Sequence, residues 1–204
     1  MLRPLALCAF RFREKASVFL TELHPLSGPE ERAEILGRIR KRDYDATHHC
    51  SAWLLGIPVS SSAGDDDGEP SGTAGGPMLR VLEGEDLTHV LVVCIRWFGG
   101  TKLGTGGLVR AYTEGVQGVI QEARTQGLLE TVRILRDGSI SVAVEQAHLP
   151  YALLGAFPEA EILGQDFGPG GARIHFRIPP GQEAALETAW RERSRGGSVD
   201  WGLS

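Results

Sequence analysis

From Val90 to Arg96 six of seven residues are apolar. Three residues later the chain enters Gly99–Gly107, which holds five glycines in nine positions. The apolar run predicts a strand buried on both faces. The glycines that follow predict a turn feeding a helix over 105–127, because Leu108, Ala111, Tyr112, Gly115, Val116, Val119, Ile120 and Ala123 recur at helical spacing. Each helical glycine costs about 1 kcal/mol against alanine, so Gly115 and Gly118 imply close packing against a sheet. The glycine concentration reaches back to DDDGEPSGTAGGPM (Asp65 to Met78), and 11 of the 27 glycines fall between Gly64 and Gly107. Such a density marks positive φ or close approach of another group.

The remaining elements read around this pair. Segments 5–13 and 17–23 are short strands. A helix follows, capped by Ser27 or Gly28, with Pro29 in its first turn, Glu30 and Glu31 at its positive end and Arg38, Arg40, Lys41 and Arg42 in its last turn. Its predicted buried stripe is Ala33, Leu36 and Ile39, with Ile35 beside it. Residues 46–57 form a strand that puts His48 and Cys50 on one face and His49 and Ser51 on the other. Segment 58–77 is a polar loop leading into a short helix that ends at Glu83. Gly127 to Thr131 reads as a linker. Beyond it come strand 139–145, a helix near 148–156, strands 160–166 and 171–178 joined by a Gly168-Pro169-Gly170-Gly171 turn, helix 182–194 and a closing strand near 197–201. That order, βαββαβ, is the ferredoxin-like arrangement. The fold class is therefore α+β in two domains, 1–128 and 132–204.

Charge narrows the function. Fourteen Lys and Arg face 16 Asp and Glu in 1–128, and 7 face 10 in 129–204, so neither domain is basic overall. No apolar run reaches the length of a membrane span. Arg11 and Arg13 interrupt the only apolar N-terminal run, so no secretory signal is expected. Three scattered cysteines form no CxxC pair, and the cytosol is the default compartment.

A glycine-rich turn at a helix N-terminus suits an anion, since free amide N–H groups point outward there. The candidate phosphate site is Arg96, Gly99, Gly100, Thr101, Lys102, Gly104, Gly106, Gly107 and Arg110, with His48, Asp66, Asp67, Glu69 and Ser71 as a second wall. The spacing matches neither the P-loop nor GxGxxG. His48 and His49 stand at no metal-site spacing, the acidic segment lacks the calcium-loop pattern, and no hydrolase motif occurs. No metal, cofactor or catalytic residue is assigned.

DDDGEPSGTAGGPM together with IRWFGGTKLGTGGLVRAY resembles the IMPACT family, in particular its bacterial YigZ-like members. ATHHCSAW and KASVFL resemble the family's histidine-bearing strand and early strand. The resemblance implies a ribosomal protein S5 domain 2-like N-terminal domain and a ferredoxin-like C-terminal domain, a pair similar to the last two domains of elongation factor G. Eukaryotic relatives regulate translation initiation through an extra N-terminal module. This chain opens directly on the shared domain, so that mechanism is not expected here. The expectation is a non-enzymatic cytoplasmic protein binding RNA, the ribosome or a translation factor. Two alternatives stand beside it. One is a metal-assisted enzyme acting on a small phosphorylated or nucleotide substrate. The other is a protein–protein adaptor using Arg96, Trp97 and Phe98.

Overall fold

The computed structural model describes residues 1–194 and 198–202. The chain divides into two compact units, Met1–Val132 and Arg133–Ser204.

The first unit is built on a five-stranded antiparallel sheet in the order β2-β3-β6-β4-β5. Its strands are β2 (Cys8–Glu14), β3 (Ser17–Pro25), β4 (His48–Leu55), β5 (Ser61–Asp65) and β6 (Val90–Trp97). The expected two-sided burial of β6 is observed. Val90, Val92 and Cys94 join the core under α2 (Gly75–Gly84) and α3 (Thr105–Thr125), whereas Leu91, Val93 and Ile95 pack with α1 (Pro29–Arg42). Alternation along one central strand thus supplies two separate cores.

Residue types explain each helix. In α1, Gly28 is the N-cap, Pro29 opens the first turn, Glu30 and Glu31 follow it, and Arg40, Lys41 and Arg42 close the last turn. Ile35 and Ile39 are its buried residues. Ala33 is exposed and Leu36 only half-buried, so the helix is turned slightly from the predicted stripe. In α3 the buried residues are the eight predicted ones. A Cβ on Gly115 would sit 2.5 Å from Thr21 Oγ1, and one on Gly118 would sit 2.3 Å from the Phe10 ring. The two glycines let α3 lie directly on β2 and β3.

Two expectations change. The polar segment 58–77 contains β5, whose Ser-Ser-Ala-Gly-Asp sequence has no apolar alternation, yet pairs with β4 from Ser51↔Asp65 to Leu55↔Ser61. The segment read as a linker contains β7 (Leu129–Thr131), antiparallel to β1 (Leu2–Pro4). Backbone hydrogen bonding, not side-chain pattern, makes both strands.

The second unit has the element order β8 (Arg136–Val142), α4 (His148–Leu154), β9 (Glu161–Gly168), β10 (Gly171–Ile178), α5 (Glu183–Ser194) and β11 (Asp200–Trp201). Its antiparallel sheet runs β11-β8-β10-β9. Gly168 and Gly171 close the predicted hairpin. Ile140, Leu153, Ile174, Phe176, Leu186 and Trp190 form its core. Leu186 and Trp190 are the buried residues of α5, and Ala185 beside them is exposed. Residue 197, where the closing strand was expected to begin, lies outside the described residues.

Candidate functional site

The glycine run starts at the end of β6. The Phe98 N–H donates to Thr47 Oγ1 at 3.0 Å. A Cβ on Gly99 would lie 1.8 Å from the Ala16 carbonyl oxygen, so only glycine lets the loop pass the β2–β3 turn. Gly104, at φ 73°, is the N-cap of α3, with no side-chain cap and no acidic residue in the first turn. The first amide to bond back is Leu108 N–H, to the Gly104 carbonyl at 2.9 Å. The Thr105, Gly106 and Gly107 amides are the orphan donors of a 21-residue helix. Thr101, Lys102, Gly106 and Arg110 are exposed around them, and the side chains of Lys102 and Arg110 form no ion pair with any described residue.

The acidic segment is spent on holding structure. Asp66 Oδ1 accepts the Ala74 and Gly75 amides at 2.9 and 2.8 Å, and its Oδ2 accepts the Gly72 amide at 2.7 Å. It therefore caps α2 from outside the helix. Partial burial raises the Asp66 pKa, but the three amides outweigh it and hold the carboxyl below its ordinary value. Asp67 Oδ1 accepts from Arg40 at 2.6 Å and Oδ2 from the His49 amide at 2.6 Å. The His48 Nδ1–H donates to the Asp67 carbonyl at 2.8 Å. Ser71 is exposed.

Glu69 is the deepest of these carboxylates. Its Oε1 accepts from Arg96 Nη1 at 2.5 Å and from Tyr112 Oη at 2.7 Å. His48 Nε2 stands 3.8 Å away. The side chains of Arg96 and Glu69 are only 5% and 3% exposed. Arg96 also donates to Ser17 Oγ at 3.2 Å, and its guanidinium lies 5.5 Å from the ring centres of both Phe19 and Phe98. Cys50 Sγ is 3.3 Å from Tyr112 Oη and 3.0 Å from the Asp66 carbonyl. Burial pushes the Tyr112 hydroxyl and the Cys50 thiol far up, and lifts the Cys94 thiol to about 12. The phenol and both thiols therefore keep their protons at neutral pH and are not activated nucleophiles.

The structure thus separates residues that the sequence reading grouped. His48 and Cys50 do share the face toward α2 and α3, and the acidic segment does fold back, but onto Arg96 and the start of β4. Arg96 carries its charge into the buried pair, while Lys102 and Arg110 keep theirs in solvent. Tyr112, Cys50 and Ser17 complete the network and were read only as core or strand residues. A single arginine ending a run of six apolar residues was the available sign that a buried partner must exist. Among the described residues no cluster of His, Cys, Asp and Glu is arranged to hold a metal ion.

These features define a two-unit α+β protein whose first unit carries a glycine loop at the start of α3 and a locked acidic segment. Residues 15–120 match the family description "Impact N-terminal domain". The chain is 43% identical over 114 residues to Escherichia coli YigZ, covering 55% of this chain and 56% of that one. The matched region therefore spans about half the length of that relative. An IMPACT family member of Haemophilus influenzae is 42% identical over 197 residues, covering 95% of this chain and 92% of its own length. A solved structure described as a hypothetical protein is 31% identical, covers 100% of this chain and 96% of its own, and superposes with a TM-score of 0.60. The chain belongs to the IMPACT family.

Proposed function

We propose that this protein is a non-enzymatic, cytoplasmic binder of RNA within the translation apparatus, acting through the Gly99–Gly107 loop. The observation that carries the reading is the uncapped start of α3. Its three orphan amides, at Thr105, Gly106 and Gly107, sit between the exposed cations Lys102 and Arg110. Amides at a helix N-terminus bind phosphate through hydrogen bonds and the helix dipole, and flanking cations add a salt-sensitive term. In this reading Arg96, Glu69, Tyr112 and His48 are a platform. They fix the end of β6 and the acidic segment, and so position the loop without touching the phosphate.

Family membership supports a role connected with translation. The topology of the second unit supports one of the proposed fold names. A βαββαβ unit with strand order β11-β8-β10-β9 is the arrangement expected of a ferredoxin-like domain, and the first unit is proposed to have the ribosomal protein S5 domain 2-like fold.

The test is sedimentation of the purified protein with ribosomes at low and high salt. Binding that weakens with salt and is reduced in the Lys102→Ala/Arg110→Ala variant is the expected result. Salt-insensitive binding that the double variant retains would place the contact on a protein partner and remove the glycine loop from it.

A further inference from the structure

The five-stranded sheet has a second face, and α1 covers only part of it. Leu91, Val93 and Ile95 are buried against α1. Farther along the same face, Val18, Leu20 and Trp97 are only half-buried. Cross-strand register places Arg13 beside Val18, Arg11 beside Leu20, and Val18 beside Trp97. The Arg11 guanidinium lies 6.0 Å from the Trp97 ring centre, which puts both side chains on this face. One edge is walled by α1. Arg42 reaches across to Glu22 of β3 at 2.7 Å, so the flank carrying Arg42 faces β3. Arg38 shares that flank by its four-residue spacing from Arg42.

Charge on this surface is unbalanced locally, although the protein is acidic overall. The side chains of Arg13 and Arg38 are exposed and form no hydrogen bond or ion pair with any described residue, and Arg11 touches only the indole. The nearby carboxylates are largely committed. Glu22 is shared by His24 and Arg42, and Asp43 pairs with Arg42. Glu34 and Asp45 are the exposed acids that remain. Three uncommitted cations, Arg11, Arg13 and Arg38, on one face with a half-exposed tryptophan combine phosphate attraction with a stacking surface, the pairing that single-stranded nucleic acid uses. The surface also leads toward the glycine loop, because Gly99 rests on Ala16 in the turn that joins β2 to β3.

We infer that the uncovered half of this sheet face, formed by Arg11, Arg13 and Trp97 with Arg38 of α1, is a second binding surface for single-stranded RNA. It rests on the RNA-binding reading above, but uses residues on the opposite side of the sheet from the buried Arg96–Glu69 pair. The backbone of the strand lies along the arginines, and a base stacks on Trp97.

The test uses the full chain and a short fluorescein-labelled oligouridylate, titrated over a range of salt. Five proteins are compared: wild type, Arg11→Ala/Arg13→Ala, Arg11→Lys/Arg13→Lys, Lys102→Ala/Arg110→Ala and Trp97→Phe. Removing both strand arginines is expected to weaken binding about tenfold at low salt. It should lower the slope of log K against log salt by about 1.4, from about 0.7 per lost contact on a single strand. The lysine pair keeps the slope. RNA should quench tryptophan emission, and the Trp97→Phe variant should lose part of that quenching. If Arg11→Ala/Arg13→Ala matches wild type while Lys102→Ala/Arg110→Ala binds weakly, this second surface is wrong and the glycine-loop reading stands. If wild type binds RNA and neither pair matters, both placements fail, and if wild type binds no RNA, both readings fail. Equal affinity for polyglutamate and oligouridylate would show a surface selective for charge alone, which also overturns the inference.

Discussion

Arg96 and Glu69, 27 positions apart in sequence, meet with Nη1 and Oε1 2.5 Å apart in a site where neither side chain is more than 5% exposed. Breaking a buried ion pair leaves an uncompensated charge, which costs about 3–5 kcal/mol. Arg96→Ala and Glu69→Ala should each destabilise the first unit by that amount in urea unfolding. Tyr112→Phe removes only a hydroxyl donor to the carboxylate and should cost less, about 1.5–3 kcal/mol. Equal small effects for all three would mean that the pair does not anchor the acidic segment.

Asp66 makes stability depend on pH in a defined direction. Its folded pKa is lowered by the amides of Gly72, Ala74 and Gly75 against the opposing effect of burial. A carboxyl with a depressed folded pKa adds stability that is complete above its unfolded pKa, about 3.9, and is lost as pH falls through the folded value. Asp66→Ala should therefore cost about 1–2 kcal/mol at neutral pH, the usual range for a lost helix cap. It should also flatten the stability profile in the acid limb. Melting temperatures of both proteins between neutral and strongly acid pH check this, and parallel acid limbs would contradict it.

Gly99→Ala tests the backbone path of the loop. The new methyl would overlap the Ala16 carbonyl, only 1.8 Å from the Cβ position. That neighbour is backbone and cannot rotate away. A loss of about 1–3 kcal/mol, the range for overpacking, is expected together with weakened RNA binding, since the loop must shift. Unchanged stability and binding would show that the loop does not rest on the turn.

Cys8, Cys50 and Cys94 are buried and unpaired. Burial is the main cause that raises all three thiols above their ordinary pKa. In a thiol-labelling assay at mildly alkaline pH, the native protein should react only as fast as it opens, and denaturant should release three fast equivalents. Rapid labelling of the folded protein would contradict the packing described for Cys50 against Tyr112 and Asp66.

Elements whose apolar residues follow one period were readable directly. β6 and α3 are examples, because burial there is decided by side-chain pattern. β5 was not readable, because Ser61, Ser62, Ala63, Gly64 and Asp65 have little to bury. Its place is set by pairing with β4 and by Gly64, whose Cβ position falls 2.5 Å from the Gly75 carbonyl carbon. Glycines 99 to 107 were legible as a loop at a helix start, and the exposed cations Lys102 and Arg110 came with them. The fate of Arg96 was not, because its partner lies on a distant polar segment. Local pattern carries no information about which buried charge meets which.

The most direct measurement is amide nuclear magnetic resonance of the labelled protein titrated with a short RNA. The account predicts saturable shifts of the Thr105, Gly106 and Gly107 amides, with Gly104 beside them. Those shifts should weaken as salt rises and vanish in Lys102→Ala/Arg110→Ala. RNA binding that leaves these amides unmoved, or moves them equally in the double variant, would contradict it.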